Sequence, residues 1–328
     1  MVATRTSGIA TSGKTLLGMI LLTVGFLATL ATVLGFFGGI WWAFDLAANW
    51  RLQLGVVLVV VAVLYWVTVG RGAAILFLVA GLVNLFLVLP VFFGSQATAA
   101  PEGRLDVVSY NAATEVAGRD EMIDWIGSLD ADIVFLQETT AAWVEAIAAS
   151  GIQMDIIAEP ITTGGHGTTV LASQPATATV IPVGAFNQHV IEVTTTVDGR
   201  AVSLFGAHPD TATTKQKADV RDELFTELAA LVAAAPNPAI VVGDLGVTRW
   251  TSAFGSLADA ASLVNSEDGF GYEGTWPGSD LTLLGDYLSI PVDHVLMTRE
   301  MTVVARDVGP KIGSANRPVV AKLAFAGG

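Results

Sequence analysis

The sequence predicts three N-terminal transmembrane helices followed by one α/β sandwich domain. Three observations carry this expectation. Charge-free apolar runs are confined to the first 94 residues, the charge balance reverses after them, and the remainder alternates short apolar strands with amphipathic helices.

The apolar runs are Leu16 to Phe44, Leu54 to Val69 and Ala73 to Phe93. A bilayer core of about 30 Å needs about 20 apolar helical residues. The third run meets that length, the first exceeds it, and the second is short but bracketed by Arg51 and Arg71. The first run also exceeds the apolar region of a signal peptide and ends in "GGIWWAFD", a poor cleavage site. Trp41, Trp42, Trp50 and Trp66 fall near the expected membrane–water boundaries, where indole rings are favoured. Gly18, Gly25, Gly35, Gly38 and Gly39 in the first run are small residues that permit close packing, with a membrane-protein partner among the possible occupants. The lipid bilayer is the other expected partner.

Orientation rests on few residues. Arg5 and Lys14 precede the first helix and Arg71 sits in the Gly70-Arg71-Gly72 turn, while Asp45 and Arg51 balance between the first two helices. The positive-inside rule then predicts a cytoplasmic N-terminus. With three spans, the C-terminal domain is expected outside the cytoplasm of a multi-pass protein of the cell membrane.

Residues 1–94 hold four basic residues and one acid, a net of +3, so the remainder carries −17 within the total of −14. Nucleic-acid affinity comes largely from neutralising phosphates with Lys and Arg, so this domain argues against nucleic acid as a partner. With no cysteine, disulfide and thiolate chemistry are excluded.

Ser95 to Gly103, "SQATAAPEG", reads as a polar linker, and about 225 residues beyond it can bury one sizeable core. "RLDVVSYNAA" predicts a strand ending at Asn111, and "DEMIDWIGSLDA" a helix with Met122, Ile123, Ile126 and Leu129 on one face. "DIVFLQE" predicts a buried strand, followed by a helix through Trp143 and Ile147. "GTTVLAS", "TATVIPV", "HVIEVTTTV" and "AVSLFGAH" continue the strands, and a long helix covers Lys215 to about Ala235. "AIVVGD", "VDHVLMT", "MTVVARDV" and "RPVVAKLAF" complete the set. Mixed α/β with many antiparallel strands is a sandwich pattern.

Five predicted strands carry a polar residue at their ends: Asn111, Glu138, His208, Asp244 and Asp293. A rigid sheet can hold such side chains over a cleft. Each also has a plainer reading, because carboxylates and amides cap helices and close turns. Glu138 precedes a helix, and Asp244 ends a strand at a turn. Together, the five supply a carboxylate for a hard cation, an imidazole and further acids and amides.

In order, "VVSYN", "IVFLQE", "GAHPD", "VVGDLG", "PVDHVL" and "GSANRPVVAKL" resemble the endonuclease/exonuclease/phosphatase superfamily, the DNase I-like four-layer sandwich, over residues 104–326. Three spans before this domain resemble a bacterial membrane-bound branch of it. The resemblance implies that Asn111 orients phosphate and nucleophile, that Glu138 binds Mg²⁺ or Mn²⁺, and that His208 contacts the phosphate. It also implies that Asp244 positions the attacking water and that Asp293 orients a histidine.

The sequence departs from the family at three places. "GDFN" reads Gly243-Asp244-Leu245-Gly246, so Gly246 replaces an amide that binds the transition state. "SDHRPV" reads Ser314-Ala315-Asn316-Arg317-Pro318-Val319, so Ala315 replaces an acid and Asn316 a histidine. An Asn amide is neither acid nor base near neutral pH. His294 is expected to face away from the cleft, opposite Asp293. His166 lies in the "TGGHGTT" loop, and His189 is expected at the surface. Two functions follow as expectations: a catalytically silent binding or structural subunit, or a divergent metal-dependent phosphodiesterase or phosphatase acting on lipid or small phosphoesters.

Overall fold

The computed structural model describes residues 6–94, 103–114, 117–159, 166–184, 188–278 and 285–327. Arg5, the side chains of Lys14 and His166, and all of the expected linker except Gly103 lie outside these. By contact the chain divides into two compact units, one N-terminal and helical, the other from Val91 onward.

The helical unit comprises α1 (Thr6–Leu34), α2 (Trp42–Ala48), α3 (Arg51–Thr68), α4 (Arg71–Val88) and a 3₁₀ turn, Leu89–Phe92. Three segments, Thr15–Leu34, Arg51–Thr68 and Arg71–Phe92, are long and apolar enough to cross a membrane. The first helix is shorter than the apolar run suggested. It stops at Leu34, and Gly35, Gly38 and Gly39 lie in the turns before α2. Each glycine costs a helix about 1 kcal/mol, so three in five residues end it despite their apolar neighbours. These three glycines therefore lie outside the helix in which they are expected, although Gly35 still packs closely against Arg51 and the Ala48 backbone. Gly25 does sit at a helix contact, but an internal one, because a Cβ there would overlap the Phe77 ring of α4.

Leu21, Ala28, Leu58, Val61, Ala62, Phe77 and Ala80 fill the interior of this bundle. At one end lies a buried polar group. Arg51 Nη1 donates to the Thr32 carbonyl (2.9 Å) and to Asn84 Oδ1 (3.2 Å), and Asn84 Nδ2 donates to Thr32 Oγ1 (2.7 Å). The Phe36 ring lies under the guanidinium, 4.3 Å away. Asp45 and Arg51, expected simply to balance in a loop, are both buried.

The second unit opens with β1 (Arg104–Asn111), α5 (Arg119–Gly127), β2 (Ile133–Thr140), α6 (Ala141–Ser150), β3 (Asp155–Ala158), β4 (His166–Ala172) and β5 (Ala176–Val183). β6 (Gln188–Val197), β7 (Arg200–Gly206), α7 (Lys215–Ala234), β8 (Ala239–Asp244), α8 (Ser252–Ala260) and β9 (Val264–Asn265) follow. α9 (Gly285–Leu288), β10 (Asp293–Met297), β11 (Met301–Val308) and β12 (Val319–Phe325) complete it. One sheet runs β11-β12-β1-β2-β4-β3 and the other β5-β6-β7-β8-β10-β9. β1 and β2 pair in parallel, as do β7 and β8, and every other pairing is antiparallel.

The sheets pack face to face through Leu105, Val107, Phe135, Leu204, Val242 and Val295 among others. α5 and α6 cover the outer face of the first sheet through Met122, Ile126, Trp143 and Ile147. α7 and α8 cover the second through Leu224, Leu228, Phe254 and Leu257. The result is the expected four-layer sandwich. Because helices cover the outer faces, β8 is buried at every residue and reads as an unbroken apolar run rather than an alternating one.

Glu267 is a buried acid in this unit. It is 1% exposed, and neither carboxylate oxygen has a hydrogen-bond partner. Nearby, Arg306 is committed to Glu273 Oε2 and Ser266 Oγ, both at 2.6 Å. Burial raises the Glu267 carboxyl to about 7, against the lowering effect of Arg306 and Arg249. The folded state therefore holds this proton more tightly than the unfolded chain does. Stability is full below the ordinary carboxylate range, falls as pH rises through it and levels off above about 7. The loss is expected to be roughly 3 kcal/mol. Melting of the Glu267→Gln variant between pH 4 and 8 should show a flatter profile than the natural chain.

Candidate functional site

Asn111 ends β1, Asp244 ends β8, Glu138 lies near the end of β2, and His208 follows β7 by two residues. These ends converge because the parallel pairs β1–β2 and β7–β8 direct their C-terminal ends alike, and the two sheets face each other. The structure corrects the placement of Asp293. That residue opens β10 rather than ending a strand. β10 runs antiparallel to β8, so its first residue pairs with Asp244, the last residue of β8. All five predicted residues thus meet at one place.

They are joined into a chain of hydrogen bonds. His208 Nε2 lies 3.1 Å from Glu138 Oε1, which also accepts from Asn111 Nδ2 at 3.1 Å. The same amide donates to Asp244 Oδ2 (2.9 Å). Asn316 Nδ2 then bridges Asp244 Oδ2 and Asp293 Oδ2, both at 3.0 Å. Carboxylates and amides alternate along this path, and each amide spends both its protons on acids. Asn316, at a position the family resemblance gives to histidine, is 3% exposed and central to the arrangement.

Glu138 does not cap α6. The N-cap of that helix is Thr140, which makes no side-chain cap bond. Glu138 instead sits at φ +55°, within an irregularity of the β2–β4 ladder between Leu136 and Thr139. A non-glycine residue rarely adopts this conformation, and here it accompanies a carboxylate aimed at the cluster. Asp244 closes the expected turn and also joins the cluster. Its Oδ1 accepts from the Gly246 N–H (2.9 Å) and closes a turn, while Oδ2 serves the cluster.

Electrostatics differ along the chain. Burial alone would lower the His208 imidazole. The Glu138 hydrogen bond, with the nearby Asp244 and Glu138 charges, outweighs it and raises the group to about 9. The ring therefore favours its cationic form at neutral pH, with its nitrogens engaged by Glu138 Oε1 (3.1 Å) and by the Asp244 carbonyl (3.0 Å). Burial, then repulsion from Asp244, holds the Asp293 carboxyl well above the usual range. Its Oδ1 is fully buried without a partner. Two facing acids cannot both ionise cheaply in such a place.

Two of the other histidines, His294 and His189, stay out of the cluster, and the side chain of His166 lies outside the described residues. His294 faces the opposite side of β10, as expected from strand alternation, where Nε2 lies 2.8 Å from the Val247 carbonyl. His189 is half-buried rather than at the surface, and burial, then the His208 charge, lowers its imidazole. That correction follows from its pairing with Pro182 in the β5–β6 ladder.

Supporting residues went unread in the sequence. Ser314 Oγ donates to the Asn111 carbonyl (2.7 Å) and accepts from the Asn316 N–H (3.0 Å). Thr275 Oγ1 accepts from the Val292 and Asp293 amides (3.2 and 3.3 Å). Thr275 has no local sequence signal, because its partners lie on a separate element, and Ser314 stands in the sequence only as the first residue of the closing motif.

A divalent ion fits this donor set poorly. Mg²⁺ prefers near-octahedral oxygen ligation. Glu138 Oε1 already accepts two hydrogen bonds, Ala315 offers no side-chain oxygen, and among the described residues no three His, Cys, Asp or Glu side chains group to hold a metal. The residues present do not make the site that the resemblance implies.

No curated protein matches the chain. Solved structures share its fold at low identity. D. rerio TDP2 complexed with a single-strand DNA product has 14% identity and a TM-score of 0.56, covering 68% of this chain and 99% of its own. A Bacteroides thetaiotaomicron mannosyl-6-phosphatase has 15% identity and a TM-score of 0.54, covering 67% and 100%. An endonuclease/exonuclease/phosphatase protein of Beutenbergia cavernae has 19% identity and a TM-score of 0.52, covering 69% and 72%. Residues 103–315 match the sequence model of the Endonuclease/Exonuclease/phosphatase family. Strand order, the convergence of β1, β2, β7 and β8 on one cluster, and this match agree: the chain belongs to the endonuclease/exonuclease/phosphatase family.

Proposed function

We propose that this protein is a membrane-anchored member of the family that has lost turnover and serves as a binding domain or as a structural subunit of a membrane complex. The observation that carries this reading is the engagement of Asp244. Three donors (Gly246 N–H, Asn111 Nδ2 and Asn316 Nδ2) fall on its two oxygens. The amide that bridges it to Asp293 cannot shuttle a proton. Glu138 Oε1, the family-matched metal ligand, is shared between His208 and Asn111, and Ala315 offers no side-chain oxygen beside it. Both His208 ring nitrogens are engaged as well, by Glu138 Oε1 (3.1 Å) and the Asp244 carbonyl (3.0 Å), so the polar groups of the cluster are spent on one another, which favours a structural or binding role for the domain over turnover. Three helices long and apolar enough to cross a membrane support the anchoring, and the basic residues around the first and third favour a position outside the cytoplasm by the positive-inside rule. The acidity of the domain disfavours nucleic acid.

The test is an assay of the full-length protein in detergent with bis(p-nitrophenyl) phosphate and Mg²⁺ or Mn²⁺. The natural chain is expected to match Glu138→Ala. The variant Gly246→Asn/Ala315→Asp/Asn316→His is expected to gain at least about 10²-fold, since one positioned acid–base group or one transition-state donor contributes about that much. Gly246 can accept the change, because its φ of +65° is one that Asn tolerates and a Cβ there meets open space. Metal-dependent turnover by the natural chain that disappears in Glu138→Ala would overturn the reading in favour of a divergent phosphodiesterase.

A further inference from the structure

Large apolar side chains are well hidden in the second unit, with few exceptions. Among its described residues the exposed ones are Phe92 and Phe93 at its start and then Val180, Trp276, Tyr287 and Leu288. Three of the last four lie in one short ribbon or in α9, which leads into its second arm. Trp276 and Ile290 exchange both backbone hydrogen bonds, the Thr275 N–H donates to the Ile290 carbonyl, and Tyr272 Oη donates to the Ser289 carbonyl. Trp276 (40% exposed), Tyr287 (75%) and Leu288 (40%) therefore project from the ribbon and from the helix that leads into it. Scattered apolar residues need no explanation, but a cluster on an otherwise well-covered domain does.

The ribbon is rooted in the candidate site. Thr275, next to Trp276, accepts from the Asp293 amide through its hydroxyl and receives the Arg317 N–H on its carbonyl (2.9 Å). The Gly278 N–H donates to the Ala315 carbonyl. An apolar lip thus stands beside the cluster that contains Asn316 and His208.

We propose that Trp276, Tyr287 and Leu288 seat in the interfacial layer of a lipid bilayer. Tryptophan and tyrosine are the residues that favour this layer, with an apolar ring and a polar handle, and leucine supplies apolar area. A bilayer is the apolar surface always at hand, because the same chain carries three segments able to cross one. The charge of −17 beyond residue 94 points to zwitterionic rather than anionic lipid. The inference rests on the anchoring in the proposed function and is independent of whether turnover is lost.

The absence of cysteine makes the test direct. Leu288→Cys and Val180→Cys, each in the full-length chain, are spin-labelled and reconstituted into phosphatidylcholine nanodiscs. Accessibility to oxygen and to a water-soluble nickel chelate is then read. The label at Leu288 is expected to be several-fold less accessible to nickel than that at Val180, with oxygen accessibility retained. Adding Trp276→Ser and Tyr287→Ser should return it towards the aqueous value. Adding anionic phosphatidylglycerol should not deepen it. Equal nickel accessibility at both positions overturns the lip while leaving the anchoring intact. Shielding of Leu288 from both reagents marks a protein contact and also overturns it. Failure of the full-length chain to enter nanodiscs overturns the anchoring and the lip together.

Discussion

Asn316→Asp is expected to destabilise the second unit by about 3–5 kcal/mol at pH 8, the range found when a buried charge loses its compensation. The natural amide gives one proton to Asp244 and one to Asp293, and all three side chains are less than a tenth exposed. A carboxylate in its place removes both donors and adds a third acid. The system can respond only by taking up protons, so the penalty should shrink as pH falls. Denaturation of the full-length protein in detergent at pH 5 and pH 8 reads this directly: the variant should lose much more at pH 8. An equal loss at both values would mean that the amide is merely filling space.

Gly243→Ala should be more damaging still, with little folded protein recovered at any pH. Gly243 has φ +153°, in a region closed to side chains, and a Cβ there would overlap the Ala207 carbonyl oxygen. The Ala207 N–H donates to the Val242 carbonyl (3.0 Å), so backbone meets backbone where β7 and β8 deliver His208 and Asp244. Neither strand can retreat, since Leu204, Val242 and their neighbours are fully buried between the sheets. Strain and overlap together exceed about 4 kcal/mol, the scale of exceptional single-residue effects. Yield and circular dichroism of the purified variant check the prediction, and a natural-like melt would refute it.

Much of this was legible in the sequence, for physical reasons that also explain the gaps. A strand buried on both faces announces itself as an unbroken apolar run, so "AIVVGD" coincides with β8, and the edge strand β11, buried at alternate positions, coincides with "MTVVARDV". β3 and α9, at four residues each, are too short to show a period, and α8 is not read either. The end of α1 was misplaced because hydropathy does not weigh the helix cost of clustered glycines. The site residues were found by their positions at strand ends, except that Asp293 begins its strand. Sequence gives no sign that β10 runs against β8, and that pairing sets the two acids face to face. Nor does it reveal that Asn316 bridges them. From the sequence Asn316 looked like a deletion of chemistry; in the fold it is a hydrogen-bond donor to both acids.

The Arg51–Asn84–Thr32 group also bears on how the protein is made. Its members come from the end of α1, the start of α3 and the last turn of α4, so the guanidinium has its full set of partners only when the last of these helices is in place. A bare guanidinium is costly within hydrocarbon, about 2.5–3.5 kcal/mol at mid-membrane even when insertion is assisted. In a chain that stops short of residue 84 the guanidinium keeps the Thr32 carbonyl and the Phe36 ring but lacks Asn84, so Asn84 is the contact by which α4 closes a group that α1 and α3 begin.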